Sequence, residues 1–171
     1  MRIAVVVGNP KPASRTLSAA LAVADATQAA LGISERVIVD LATYGGALLD
    51  WSATEVTELN TAVACSQLVI IASPTYKATH TGLLKVFLDR YGNNGLAGTV
   101  AVPIMTGAAP IHTLAPELHL RPLLSELGAS VPTRSIYLVE SAFDDLPTAI
   151  APWAEIALSQ LKRALLSGPP L

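Results

Sequence analysis

Cysteine is nearly missing from this chain. Cys65 is the one example among 171 residues, so no disulfide can close within the chain and a thiolate cluster for zinc is excluded. A reducing, cytoplasmic setting is the expectation that follows. Cys65 sits beside the apolar run LVIIAS, and its neighbours read it as a buried, inert thiol rather than a nucleophile. Charge is scarce as well. Charged residues make up 14% of the chain, with a net charge of −2, against roughly 25% in an average soluble domain. No basic cluster or stripe stands out, so the electrostatic footprint of a nucleic-acid binder is missing. Apolar runs never approach the about 20 residues that span a bilayer. The start, Met1-Arg2 and then a strand-like run, lacks the basic segment and apolar core of a signal peptide. The three histidines are scattered, and no metal site is expected from them. What the chain has in plenty is hydrophobic residues, 51% of the total, enough to leave apolar surface for subunit contacts or a ligand.

Those residues come in short runs bounded by turn formers. IAVVV (3–7), RVIVD (36–40), LVIIAS (68–73), VAVPIM (100–105) and SIYLV (135–139) read as five strands. Three are apolar at nearly every position, as parallel strands covered on both faces must be. Helical spacing fills the gaps between them. Leu17, Leu21 and Ala24 share one face, as do Leu84, Phe87, Leu88 and Tyr91. Strand–helix alternation implies right-handed crossovers and a parallel sheet. One three-layer α/β domain over residues 1–171 is the expectation, with SGPPL at the end reading as a helix stop and short tail.

The segment after the fourth strand breaks the pattern. Ile111, Leu114, Ala115 and Leu118 form one apolar stripe, and Leu120, Leu123, Leu124 and Leu127 form another. At about 100° per residue an unbroken helix sets these stripes on opposite sides. Pro122 also removes a donor and crowds the carbonyl of Leu118. A kink or bulge is expected there. Two readings stay open: a helix buried all round, or one stripe on the sheet and the other against a second subunit.

The loop after the first strand, GNPKPASRT, carries the strongest chemical signal. A helix N-terminus exposes unpaired N–H groups and about half a positive charge, which attract an anion. Gly8 is expected to let the chain turn sharply. Asn9, Ser14 and Thr16 offer side-chain donors, and Lys11 and Arg15 add charge. The bland alternative is that Ser14 only caps the helix. The loop is not a Walker loop, for GxxxxGK[ST] occurs nowhere, and GxGxxG is absent too. It has no cysteine nucleophile and no acidic cluster beside it. A loop that holds a phosphate monoester without cleaving it is what remains.

In sheets of this kind ligands bind beyond the carboxyl ends of the strands, where strand order reverses. The loops SPTYKATHTGLLKVFLDR and PIMTGAAPIHTL follow the third and fourth strands and belong on that same edge. Pro74 and Tyr76 offer flat surface to a planar ring, and the N–H groups of Thr75 to Lys77 could address its polar edge. Thr106, Gly107 and Ala108 allow close backbone approach from the other side. His80 and His112 sit near this edge, where structural roles outweigh proton transfer; no acid–base triad is evident.

With these three loops in register, the chain resembles the NADPH-dependent FMN reductase family, and most closely its sulfonate-utilisation flavin reductases. The resemblance spans nearly the whole chain. It rests on GNPKPASRT, on SPTYKATHTGLLKVFLDR and on PIMTGAAPIHTLAPELHLRPLLSELGAS. It implies a flavodoxin-like three-layer sandwich with a five-stranded parallel sheet in the order 2-1-3-4-5. Carried over by position, Lys11, Ser14 and Thr16 match phosphate contacts. Pro74, Thr75, Tyr76 and Lys77 match contacts along the isoalloxazine, and Thr106 and Gly107 match the third loop. The chain departs from the family at Asn9, where Ser is usual, and at Ala108, where Gly is usual. PELHLRP also places Leu118 and His119 where some two-component members insert a Tyr into a bulged helix at a subunit interface.

The resemblance implies hydride transfer from NADPH or NADH to FMN, with the reduced flavin passed to a monooxygenase or the electrons to quinone-like acceptors. It also implies a homodimer or homotetramer, with no nucleic-acid or membrane partner. Two other classes stay open at this stage. A non-enzymatic flavodoxin-like electron carrier would be more acidic and richer in aromatics than this chain, whose aromatics are 5%. A flavin-free domain that binds another phosphorylated ligand, or serves only in assembly, would keep the loops without the colour.

Overall fold

A computed structural model describes residues 1–166; the SGPPL tail lies outside the described residues. Its centre is a parallel sheet of β1 (Arg2–Val7), β2 (Glu35–Asp40), β3 (Leu68–Pro74), β4 (Val100–Gly107) and β5 (Ile136–Val139). The strands lie in the order β2-β1-β3-β4-β5, and each neighbouring pair is parallel. Strand order therefore reverses beside β1, between the crossover out to β2 and the crossover back to β3. All five strands stand where the apolar runs put them, with ends shifted by no more than two residues. Every residue of β3 is buried, which explains why its sequence shows no alternation.

Side chains alternate across each strand, so the sheet has two cores. Ile3, Val5, Val7, Ile70, Ala72 and Ile104 face α1 (Arg15–Leu31) and α5 (Leu146–Leu166). Ala4, Val6, Val69, Ile71 and Met105 face α2 (Thr54–Ala64), α3 (Gly82–Leu88) and α4 (Arg121–Glu126). The expected face of α1 is only partly right. Ala24 is buried, but Leu17 and Leu21 are half-buried, and the contact face is built from Ala19, Ala20, Val23, Ala24 and Thr27. These small residues let α1 lie close to the sheet and to α5 at once. In α3 the expected face holds: Leu84, Phe87 and Leu88 are buried. Tyr91 follows the helix, edge-on to Phe87, with its hydroxyl donating to the Asn60 carbonyl at 3.1 Å.

Two expectations need correction. Cys65 is exposed, not buried, because α2 ends on it, its N–H returning to the Thr61 carbonyl, before the chain enters the sheet at Leu68. Gly8 does not make the turn. It extends the ladder, donating to the Ala72 carbonyl at 2.8 Å. Glycine is needed there because a Cβ would stand 2.4 Å from Leu84 Cβ. The turn itself comes at Ala13, whose φ of 51° is left-handed.

The mismatch of stripes resolves as a π-helical turn, Pro116–Leu120, leading into α4. The Arg121 N–H reaches the Pro116 carbonyl, five residues back. The extra residue shifts the helix face by about 100°, which turns Leu120, Leu124 and Leu127 onto the core alongside Ala115. The reading as a helix buried all round is thereby overturned: Ile111, Leu114 and Leu118 are exposed by 82%, 65% and 63%. Glu117 secures the turn, accepting from the Ser135 N–H at 2.7 Å and pairing with Arg121, whose guanidinium also reaches the Val131 and Thr133 carbonyls.

Candidate functional site

The carboxyl edge of the sheet carries a cleft of about 480 Å³, within the roughly 300–1,000 Å³ typical of small-molecule sites. It is lined by Asn9, Lys11, Ala13, Ser14, Arg15 and Thr16 from the first loop, by Pro74, Thr75 and Tyr76 after β3, and by Thr106, Gly107 and Ala108 after β4. Glu140 and Phe143, just past β5, complete it. Eleven of the twelve residues singled out from the sequence are among these. Lys77 is not: it sits exposed at the tip of the next turn, with φ at 51°. A larger cavity of about 670 Å³ lies between β5 and α5, beside Trp153 and Ile156, and shares no lining residue with the cleft.

The first loop is held by its own hydrogen bonds. Ser14 caps α1, its Oγ accepting the Leu17 N–H at 3.3 Å, so its own proton remains to donate outward. The N–H groups of Arg15 and Thr16 begin the helix and have no carbonyl four residues back within it. Asn9 organises its neighbours, accepting the Lys11 N–H at 2.9 Å and donating to Thr16 Oγ1 at 3.0 Å. Thr16 and Thr106, 90 residues apart, share a hydrogen bond of 2.9 Å. The Thr16 side chain is thus buried and committed to joining the first and third loops, rather than facing an anion. Arg15 leans across the mouth, 2.5 Å from Glu140 and stacked 5.7 Å over Phe143. The ion pair is exposed on both sides and so adds little stability.

The second loop spends more of its donors internally than expected. The Thr75 N–H goes to the Thr106 carbonyl at 2.7 Å and the Tyr76 N–H to the Thr79 carbonyl at 2.9 Å. Of the three amides, Lys77 keeps its own free of a partner. Thr79 returns its N–H to Tyr76 at 3.2 Å, closing a tight turn in which both Lys77 and Ala78 are left-handed. Thr75 Oγ1 is buried without a hydrogen-bond partner, and Tyr76, 52% exposed, presents its ring along the cleft wall. In the third loop a Cβ on Gly107 would stand 2.0 Å from the Tyr137 hydroxyl, which donates to the Ala109 carbonyl. Any side chain at 107 would have to displace that hydroxyl.

His80, half-buried near this edge, is held below the ordinary histidine range by burial first, then by the charges of His119 and Lys85. A neutral imidazole there is a poor anion partner near neutral pH. Glu140 and Phe143 escaped the sequence reading, although β5 ends on the same edge and the rule that pointed to the other loops pointed there too.

Taken together, the strand order 2-1-3-4-5 and a cleft formed by three loops at the carboxyl edge of the sheet define a flavodoxin-like domain. The family model described as NADPH-dependent FMN reductase matches residues 1–144, and the chain belongs to that family. An FMN reductase (NADPH) of Pseudomonas aeruginosa is 32% identical over 171 residues, covering 97% of this chain and 91% of the relative. An NADH-dependent FMN reductase, SfnF, of Pseudomonas putida is 29% identical over 149 residues, covering 84% and 80%. Among solved structures, the apo form of an NADH:FMN oxidoreductase, EmoB, superposes with a TM-score of 0.83 at 29% identity, covering 99% of this chain and 91% of that one.

Proposed function

We propose that this chain, as one FMN-binding domain, is an NAD(P)H-dependent FMN reductase. The observation that carries the reading is the convergence of three loops, distant in sequence, on one cleft that begins at a prepared helix N-terminus. The residues present fit the group. The Ser14 proton and the Arg15 and Thr16 amides suit a phosphate monoester, with Lys11 adding charge at the rim. The unpartnered Thr75 hydroxyl suits a polar ring edge, and Pro74 and Tyr76 suit a flat ring face. Bound FMN supplies a ring that accepts two electrons as hydride from the nicotinamide. The protein's share is to hold and orient: placing two reactants in line is worth roughly 7–11 kcal/mol of barrier. Among the described residues, Tyr76 and Phe143 are the aromatic rings lining the cleft, and the low aromatic content of 5% and net charge of −2 favour a ring face open to a nicotinamide over an acidic electron carrier with both faces covered.

By analogy with its relatives, the chain uses NADPH or NADH; a cytoplasmic monooxygenase that takes the reduced flavin, or a quinone-like acceptor of its electrons, is the partner we propose. Among the described residues no helix is long and apolar enough to cross a membrane. The exposed stripe Ile111, Leu114 and Leu118 suits self-association as a homodimer or homotetramer. The test is to follow NADPH and NADH oxidation with and without added FMN, alongside the visible spectrum of the purified protein. FMN-dependent oxidation is expected. No oxidation with either donor, no yellow colour and no FMN-induced rise in Tm would return the chain to the flavin-free class.

A further inference from the structure

Asp40, the last residue of β2, reaches under the first loop without lining the cleft. Its Oδ2 accepts the Ala13 N–H at 2.9 Å. Its Oδ1 is buried with no hydrogen-bond partner. A carboxylate with one oxygen buried and unsatisfied is costly to keep, and a negative charge under an anion cradle works against the anion. Both costs call for a reason, and Ala13 supplies it. Ala13 stands directly before the N-cap Ser14 with φ at 51°, a conformation that the methyl group opposes. A left-handed alanine is strained, and the hydrogen bond from its own N–H to Asp40 holds it here.

We propose that Asp40 is a positioning residue for the anion cradle: by accepting the Ala13 amide it fixes the left-handed turn that aims the Ser14 hydroxyl and the Arg15 and Thr16 amides into the cleft. The inference rests on the flavin reading above and deepens it, since the ligand group concerned is the terminal phosphate of FMN. Asp40 touches no ligand. It withdraws one amide, that of Ala13, and in doing so sets the direction of the next three residues. The loop is then shaped before binding, so that ordering it costs the ligand little.

Positioning and charge make opposite demands on substitutions. Asp40→Asn keeps an acceptor for the Ala13 N–H and removes the charge, so FMN affinity should equal or exceed that of the wild type. Asp40→Ala removes the acceptor, and FMN affinity should fall about ten-fold or more, the scale of one hydrogen bond to a charged group. Riboflavin, which lacks the phosphate, should bind both variants as it binds the wild type. Flavin titrations followed by fluorescence quenching give all six affinities. Amide hydrogen exchange on the ligand-free wild type supplies a second readout that needs no variant to fold: the Ala13 amide should be protected.

Three results would overturn the proposal. They are an Asp40→Ala protein that keeps the wild-type preference for FMN over riboflavin, whether or not both affinities fall, an Asp40→Asn protein as weak as Asp40→Ala, or rapid exchange at Ala13. A wild type with no preference for FMN over riboflavin would remove the parent reading instead, and a wild type with that preference isolates any failure to Asp40 alone.

Discussion

At Ser14 one oxygen serves two purposes, accepting from Leu17 and keeping a proton for the cleft. Ser14→Ala should therefore show two separable losses. Without ligand, the lost cap should cost about 1 kcal/mol of stability, read as a lower Tm. In FMN titrations the lost donor should cost about 1.5–3 kcal/mol, while riboflavin binding stays as it was. An unchanged FMN affinity would take Ser14 out of the anion site. Ala78 makes the opposite case: it is left-handed at φ 67° on an exposed turn. Ala78→Gly should raise stability by about 1 kcal/mol or more, because glycine meets no steric penalty there; a lower Tm would show that the turn is held by something other than its own backbone. These residues also mark what the chain disclosed in advance. The loop GNPKPASRT announced a helix start at the cleft through its composition and its place after a strand. It could not announce that the Thr16 hydroxyl turns inward to Thr106, or that Arg15 turns outward to Glu140. Both partners lie more than 80 residues away in the chain, and side-chain direction depends on who stands opposite.

For whole elements the strands were legible because burial on both faces leaves an unbroken apolar run, and a run has ends. Helix faces were less so. The sequence favoured leucines on α1, whereas close packing between a sheet and α5 selected alanines. The π turn was half legible: the stripes and Pro122 required a break, but only the backbone shows that an inserted residue at 116–120 makes it. Glu117 ties that turn to Ser135, the residue before β5. Burial alone would raise this carboxyl, but the hydrogen bonds from Arg121 and Ser135 outweigh it and hold the group below its ordinary value of 4.5. A carboxyl lowered in the folded state adds stability at any pH above its unfolded value, and that stability disappears as pH falls through the folded value. Thermal melts from neutral pH down into the acid range should show wild-type Tm falling below about pH 4.5 more steeply than that of Glu117→Gln. Parallel curves would mean that Glu117 contributes nothing to acid sensitivity.

For the molecule as a whole the unanswered demand is apolar. Ile111, Leu114 and Leu118 stand exposed along one side of the segment that carries the chain from the third cleft loop into α4. The π turn creates this surface: by rotating the following leucines inward it leaves the preceding ones outside. Covering a side chain of this size is worth about 1.5–3 kcal/mol, and a two-fold contact would use each residue twice. Self-association through this stripe, as homodimer or homotetramer, is therefore expected at micromolar concentration. Leu118→Glu sets a charge in the middle of the stripe and should weaken assembly about ten-fold or more, since desolvating an unpaired carboxylate costs several kcal/mol. Because Leu118 is 63% exposed, the fold of each subunit should survive the change, and far-UV circular dichroism should match the wild type. Sedimentation velocity across a dilution series decides the matter. A wild type that sediments as a monomer throughout, or a Leu118→Glu variant that assembles as tightly as the wild type, would move the contact elsewhere and leave the stripe without a partner.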